Sequence, residues 1–134
     1  MSVGPVSGNG IPINIPPDKL VWWSALAQSS GNQYVQLQDS GGNVIFTAQG
    51  ASSSGGTPTQ IGQNYFRSAD PSGNYKVYLG VNGGQQWSQV LWSEDSVNSG
   101  TTIYLGKYIF TAEDYSDNDY NDTYLQLQWF QFSG

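Results

Sequence analysis

The chain has 134 residues, a length that suits one domain with its own core. Ten acidic residues against four basic ones give a net charge of −6, and clustered Lys and Arg are absent, so we expect no nucleic-acid partner. The sequence contains neither Cys nor His. This excludes disulfides, thiolate or imidazole metal sites and catalysis of the Ser-His-Asp type.

The N-terminal segment is rich in Gly and Pro and has neither a basic nor an apolar signal-peptide region. We therefore expect a single domain over residues 1–134, in which residues 1–19 form an extended lead-in. No apolar run approaches the ~18 residues of a membrane span, so no membrane insertion is expected. The sequence predicts a soluble protein without a signal peptide, either cytoplasmic or exported by a non-classical route to the cell surface or extracellular space.

Short runs of alternating apolar and polar residues, separated by turn-forming clusters, indicate β-strands. The predicted strands cover residues 20–27, 33–38, 44–49, 74–81, 87–92, 103–112 and 123–132. The sequences D-S-G-G-N and V-N-G-G-Q predict two tight turns, and no segment shows helical periodicity. These features predict an all-β fold, an antiparallel β-sandwich of Greek-key or jelly-roll type with about nine short strands.

Half of the acidic residues lie in one short segment, E-D-Y-S-D-N-D-Y-N-D at residues 113–122. Two carboxylates about 8 Å apart repel each other by roughly 2 kcal/mol at an effective dielectric constant near 20. Five of them between two strands would strain the fold unless they face solvent or share a cation. The alternation D-x-D-x-N places hard oxygen ligands on one side of a loop, which favours calcium over magnesium.

Three alternatives compete with a functional calcium site. The segment does not fit an EF-hand, because Asp122 and Gln128 stand where that motif requires Gly and Glu. A solvated acidic turn and a calcium ion that only stabilises the loop both remain open.

The segment also resembles a known family. Three features resemble the bacterial two-calcium lectins that bind fucose and mannose (LecB-like lectins). They are the run E-D-Y-S-D-N-D-Y-N-D, the T-Y-L-Q-L-Q-W that follows it and a terminal Gly. Two further segments agree with this resemblance, namely A-Q-S-S-G at residues 27–31 and S-G-N-Y-K-V-Y-L-G-V-N-G at residues 72–83. The resemblance extends from about Leu20 to the C-terminus. It implies a calcium-dependent, non-enzymatic lectin for fucose- and mannose-type glycans.

The resemblance also implies the site residues. Two calcium ions would lie side by side, with Asp119 and Asp122 bridging them. The implied metal ligands are the backbone carbonyl of Gln28, the side chains of Glu113, Asp117, Asp119, Asn121 and Asp122, and the C-terminal carboxylate of Gly134 from a neighbouring subunit. The implied sugar contacts are Gln28, Ser29, Ser30, Gly31, Asp114, Asp117 and Asp119.

Two further features accompany the resemblance. The Ser-Ser-Gly sequence at residues 29–31 resembles the fucose-preferring type, and a homodimer or homotetramer is implied. The chain departs from the family pattern at Tyr115, where Gly is usual, and in its ending W-F-Q-F-S-G, where W-P-x-G is typical.

Other candidate residues give weaker hypotheses. Trp22 and Trp23 are adjacent on a predicted strand, so one should face the core while the other faces outward, where sugar stacking is an alternative to packing. Glu94 and Asp95 are one candidate pair of catalytic carboxylates, which their location in a segment of turn composition disfavours. A glycosidase pair of Glu113 and Asp117 is disfavoured, because a bound dication opposes the protonated acid that such an enzyme needs.

Overall fold

The computed structural model describes residues 2–113 and 120–134, with side chains described from Gly8 onward. Within these ranges the chain forms eleven β-strands and two single turns of 3₁₀-helix. The strands are β1 (Ser2–Val6), β2 (Ile11–Asn14), β3 (Leu20–Ala27), β4 (Gln33–Asp39), β5 (Val44–Gly50), β6 (Thr59–Arg67), β7 (Asn74–Val81), β8 (Gln86–Trp87), β9 (Gln89–Ser99), β10 (Thr102–Glu113) and β11 (Thr123–Phe130).

The strands form two antiparallel sheets. The first sheet has six strands in the order β1-β9-β10-β11-β3-β6, and the second has the order β2-β7-β4-β5, with β8 paired to β7. The predicted antiparallel β-sandwich is confirmed, although the described residues hold eleven strands rather than about nine. The D-S-G-G-N turn joins β4 to β5, and Gly42 adopts the positive φ of 81° that such a turn requires.

The core lies between the two sheets because successive strand residues point to opposite faces. In β3 and β11 every second residue is buried, while the residues between them are half-buried on the outer face. The aromatic ring of Trp23 stacks on Phe46 with the ring centroids 3.9 Å apart. Trp23 is thus the core member of its pair, as predicted, and Trp22 lies on the outer face.

The N-terminal residues complete both sheets. β1 pairs with β9 at one edge of the six-stranded sheet, and β2 pairs with β7 at one edge of the other. The segment therefore joins the two layers.

Two parts of the fold differ from the sequence-based expectations. β6 was not predicted, yet it pairs with β3 along the other edge of the six-stranded sheet. The assignment of Glu94 and Asp95 to a turn was wrong, because both lie within β9, opposite Tyr108 and Lys107 of β10.

Candidate functional site

Three strands of the six-stranded sheet have neighbouring ends at one pole of the molecule. Ala112 near the end of β10 pairs with Thr123 at the start of β11, and Thr123 pairs with Ala27 at the end of β3. The segment after β3 and the acidic segment between β10 and β11 therefore emerge side by side. Antiparallel register alone brings together two sequence regions that are about 90 residues apart.

Hydrogen bonds hold the two segments together. The Gln28 backbone N–H donates to the Asp122 carbonyl oxygen at 2.9 Å, and the Gln28 side-chain Nε2 donates to the Asn121 carbonyl oxygen at 3.0 Å. The Asp122 N–H in turn donates to the carbonyl oxygen of Ala112 at 3.1 Å. Gln28, Asn121 and Asp122, predicted as parts of one site, are thus adjacent in the fold.

The carboxyl-bearing residues at the two ends of the acidic segment are buried. Glu113 is 4% exposed as the last residue of β10, and Asp122 is 8% exposed just before β11. The N–H of Tyr120 donates to Oε2 of Glu113 at 3.4 Å. Tyr120 has a φ of 51°, a left-handed conformation that costs energy in a residue with a Cβ atom and is found preferentially at functional sites.

The segment Ser29–Gly31, predicted to contact sugar, forms a compact turn beside these residues. Ser29 is 7% exposed, and its Oγ accepts a hydrogen bond from the N–H of Gly31 at 3.0 Å. Ser30 is exposed to solvent. The backbone of the turn is thereby fixed while the side chain at its tip remains accessible.

Four residues at this pole were missed by the sequence analysis. Ser52 donates from its N–H to the Ser29 carbonyl oxygen at 2.7 Å, which brings the loop between β5 and β6 to the site. Gln33 and Thr123 form a buried side-chain hydrogen bond beneath the turn. Gln33 and Thr123 are identified by their burial, Ser52 by its backbone hydrogen bond and the fourth residue, Tyr120, by its positive φ. None of these properties has a sequence motif.

The remaining predicted carboxylate residues, Asp114, Asp117 and Asp119, lie outside the described residues, as does Tyr115. Within 2–113 and 120–134, no three acidic side chains are grouped closely enough to hold a metal ion. The described part of the site thus consists of Glu113, Asn121, Asp122 and the turn at Gln28.

Gly134 lies at the opposite pole. β11 runs from the site to Phe130, and the N–H of Gln131 then donates to the Tyr104 carbonyl oxygen at 3.0 Å. Ser133 accepts a hydrogen bond from Arg67 at the far end of β6. Seven residue steps along β11 correspond to about 23 Å, so Gly134 is remote from the calcium-site residues of its own chain.

No helix within the described ranges is long and apolar enough to cross a membrane.

The sequence of residues 13–131 matches the family described as Fucose-binding lectin II (PA-IIL). One relative, Thrombocorticin from Corticium sp., is 34% identical over 120 residues, which cover 86% of this chain and 88% of that protein. The family match includes both the turn at residues 28–31 and the acidic segment.

Solved structures share the fold of this chain. A Ralstonia solanacearum high-affinity mannose-binding lectin has a TM-score of 0.74 at 22% identity, covering 88% of this chain and 94% of that one. The Chromobacterium violaceum lectin CV2L, in complex with alpha-methyl-fucoside, has a TM-score of 0.73 at 19% identity with the same coverage. At such identities these similarities establish the shared fold. The family match over residues 13–131, together with the 34% identity to Thrombocorticin, shows that the chain belongs to the Fucose-binding lectin II (PA-IIL) family and is a carbohydrate-binding lectin.

Proposed function

We propose that this lectin binds fucose- and mannose-type monosaccharides through two adjacent calcium ions at the pole formed by β3, β10 and β11. The names of two relatives support the sugar class, one being a mannose-binding lectin and the other a lectin in complex with a fucoside. The main support for a bound metal is that the carboxyl-bearing residues at both ends of the acidic segment are buried. Burying ionised carboxylates is costly unless positive charge or strong hydrogen bonds compensate for it.

The four basic side chains of the protein are all located away from this pole. Lys107 precedes Glu113 by six residues on β10, about 20 Å along the strand. Lys19 donates to the Gln131 carbonyl oxygen at the opposite pole, where Arg67 also lies. Lys76 is opposite Gln38, five residues and about 16 Å along β4 from Gln33. A divalent cation would supply positive charge that none of these side chains brings to the site.

The donor chemistry fits calcium. Carboxylate, amide and main-chain oxygens are hard ligands, and calcium accepts six to eight of them in flexible geometry. We assign the side chains of Glu113, Asp117, Asp119, Asn121 and Asp122 and the carbonyl oxygen of Gln28 to the ions. Sugar hydroxyl groups would replace metal-bound water, so that a small and very polar ligand binds without a large apolar contact.

The residues around the metal would orient the sugar. Asp114 and Asp117 are proposed to accept hydrogen bonds from its hydroxyl groups. The turn at Ser29–Gly31 would border the sugar and set the preference between fucose and mannose. Ser30, the exposed residue of this turn, is the side chain best placed to do so.

We further infer that the sugar is bound and released unchanged. A glycosidase needs one carboxylic acid that stays protonated, and a bound dication keeps neighbouring carboxyl groups ionised. The absence of His and Cys removes the commonest general acid–base side chain and the thiol nucleophile.

A second subunit would complete the metal site. Because Gly134 lies at the far pole of its own chain, its carboxylate reaches a calcium ion only if another copy packs in the opposite orientation. We therefore propose a homodimer or homotetramer in which each C-terminal carboxylate serves the partner's site.

The test is calorimetric titration of L-fucose and D-mannose into calcium-loaded protein, before and after chelation. We expect binding that disappears with the chelator and in the variant Asp119→Ala. The matched control is Asp95→Asn, which removes an exposed carboxylate on β9 and should bind as the wild type does. Sugar binding that survives complete calcium removal would refute the proposal, as would release of a hydrolysed product.

A thermal-shift experiment separates the proposal from a purely structural calcium ion. A ligand at 100 times its Kd adds about 2.7 kcal/mol to the free energy of unfolding. We expect calcium to raise Tm and sugar to raise it further. If calcium raises Tm and neither monosaccharide adds to it, the ion only stabilises the loop.

A further inference from the structure

A glutamine side chain lies fully buried beneath the turn that borders the site. Gln33 is the first residue of β4 and is 0% exposed, which is uncommon for a residue with a polar amide. Its Nε2 donates a hydrogen bond to the carbonyl oxygen of Gly31 at 3.2 Å. The amide therefore contacts the last residue of the turn directly.

The other end of the same amide reaches the first residue of β11, directly after the acidic segment. Oε1 of Gln33 accepts a hydrogen bond from the hydroxyl group of Thr123, which is 1% exposed. Thr123 begins β11 and directly follows the carboxyl-bearing residue Asp122. One side chain thus connects the two segments that make up the site, across 90 residues of sequence.

Both backbone polar groups of Gly31 are therefore hydrogen-bonded. Its N–H donates to Ser29 Oγ at 3.0 Å, and its carbonyl oxygen accepts from Gln33. Buried and satisfied hydrogen-bond networks of this kind rigidify the groups that they join. An apolar pair of similar shape would serve stability alone about as well, so the polar bridge points to a role in positioning.

We propose that Gln33 and Thr123 are positioning residues that fix the Ser29–Gly31 turn relative to the calcium ligands, and thereby set the preference between fucose and mannose. This inference rests on the proposed sugar site. Neither side chain touches the sugar, because both are buried below the turn. Their effect would pass through the position of the Gly31 peptide.

The test uses Thr123→Val, which keeps the shape of the side chain and removes the hydroxyl donor. Calcium Kd is measured without sugar, and the Kd values of L-fucose and D-mannose are measured at saturating calcium. We expect the ratio of the two sugar Kd values to change about fivefold or more, the size of a typical coupling between contacting groups. Calcium Kd should remain within about twofold of the wild-type value, since no proposed ligand is removed.

Three variants serve as controls. Thr123→Ser keeps the hydroxyl group and should keep the wild-type ratio. Thr111→Val makes the same substitution on β10, at a half-buried position opposite Tyr124, and should also leave the ratio unchanged. The double variant Gln33→Leu with Thr123→Val replaces the bridge by an apolar pair. It should recover thermal stability relative to Thr123→Val but not the wild-type ratio.

The outcomes are distinguishable. Wild-type protein that binds neither sugar overturns the proposed function, and the positioning role with it. Wild-type protein that binds sugar, together with an unchanged ratio in Thr123→Val and in the double variant, overturns the positioning role alone. A parallel loss of calcium and of both sugars would also overturn it, because the bridge would then support only the metal loop.

Discussion

The hydroxyl group of Tyr108 joins β2 to the six-stranded sheet. It accepts a hydrogen bond from the Asn14 N–H at 3.1 Å and donates one to the Asn14 carbonyl oxygen at 3.0 Å. Tyr108 is 4% exposed, and its burial raises the pKa of the phenol above the usual value of 10.0. A single side chain thus connects the two layers of the sandwich near the N-terminus.

Replacing Tyr108 by Phe should destabilise the protein by about 1–3 kcal/mol, because two backbone groups of Asn14 lose their partner. Urea unfolding at neutral pH measures the difference. Tyr104→Phe is the matched control, since Tyr104 is 47% exposed and should tolerate the change. Equal stability of the two variants would contradict the proposed contribution of the hydroxyl group.

The same variant tests the pKa shift. Because the folded state raises the pKa of Tyr108, it binds the phenolic proton more tightly than the unfolded state does. The corresponding stability is fully present below about pH 10 and is lost as the pH rises through the folded-state pKa. The wild type should therefore lose stability more steeply than Tyr108→Phe as the pH rises above about 10. Parallel curves would show that Tyr108 does not titrate differently in the two states.

At the level of strands, β10 and β11 pack closely because one of them carries a glycine. Gly106 is opposite Trp129, and a Cβ atom at position 106 would fall on the Trp129 indole. Gly106→Ala should cost about 1–3 kcal/mol through overpacking, without any strain from backbone conformation. Differential scanning calorimetry measures the change. Gly41→Ala in the exposed β4–β5 turn, where the nearest side-chain atom is 3.2 Å from the added Cβ, is the control and should change Tm little.

The strands that the sequence predicts well are those with one face in the core. β3, β4, β7 and β11 are central strands whose buried residues recur at every second position, which is the pattern that a sequence reveals. β6 lacks that alternation because it is an edge strand, with a register shift where it meets Ala25 and Leu26. It also contains Gly62 and Asn64, residues that are rare in strands. Its pairing with β3 decides its conformation.

The second half of β9 was missed for a related reason. Residues 94–99 are polar or exposed, so no core face marks them as a strand. They are extended because β10 pairs with them, and long-range pairing of this kind overrides local propensity. Composition identifies turns poorly where a polar strand is stabilised by its neighbour.

The proposed site has a local sequence signal only in the acidic segment. The spacing of the carboxylates favours a cation but leaves a solvated turn open, and the structure places Asn121 and Asp122, at one end of that segment, beside Gln28. The bridge between Gln33 and Thr123 has no local signal, because its two residues are 90 positions apart. Only the packing of β4 in one sheet against β11 in the other brings the two residues into contact.

At the level of the whole molecule, the proposed metal site and the C-terminus lie at opposite poles. If the partner's Gly134 carboxylate completes the site, deleting Gly134 should weaken calcium binding about tenfold or more, as the loss of a group that supports a metal site commonly does. Calcium titrations of the wild type and the deletion variant measure this, with sedimentation to follow the oligomer. Dilution of the wild type below its dimer Kd should have the same effect.

An appended glycine after Gly134 is the companion variant, since it keeps a carboxylate but displaces it. It should also weaken calcium binding while leaving the sandwich intact. Calcium affinity that is unaffected by deletion, extension and dilution would show that each chain completes its own site.

The direction of β11 has a mechanical consequence. This strand leads from the proposed sugar site to the C-terminus and is paired along its whole length with β10 on one side and β3 on the other. A pulling force applied between a captured glycan and the C-terminus would load these hydrogen bonds in shear, so that many must break together rather than one after another. We expect such a lectin to resist tension along this axis far better than a load that peels β6 or β1 from the sheet edge.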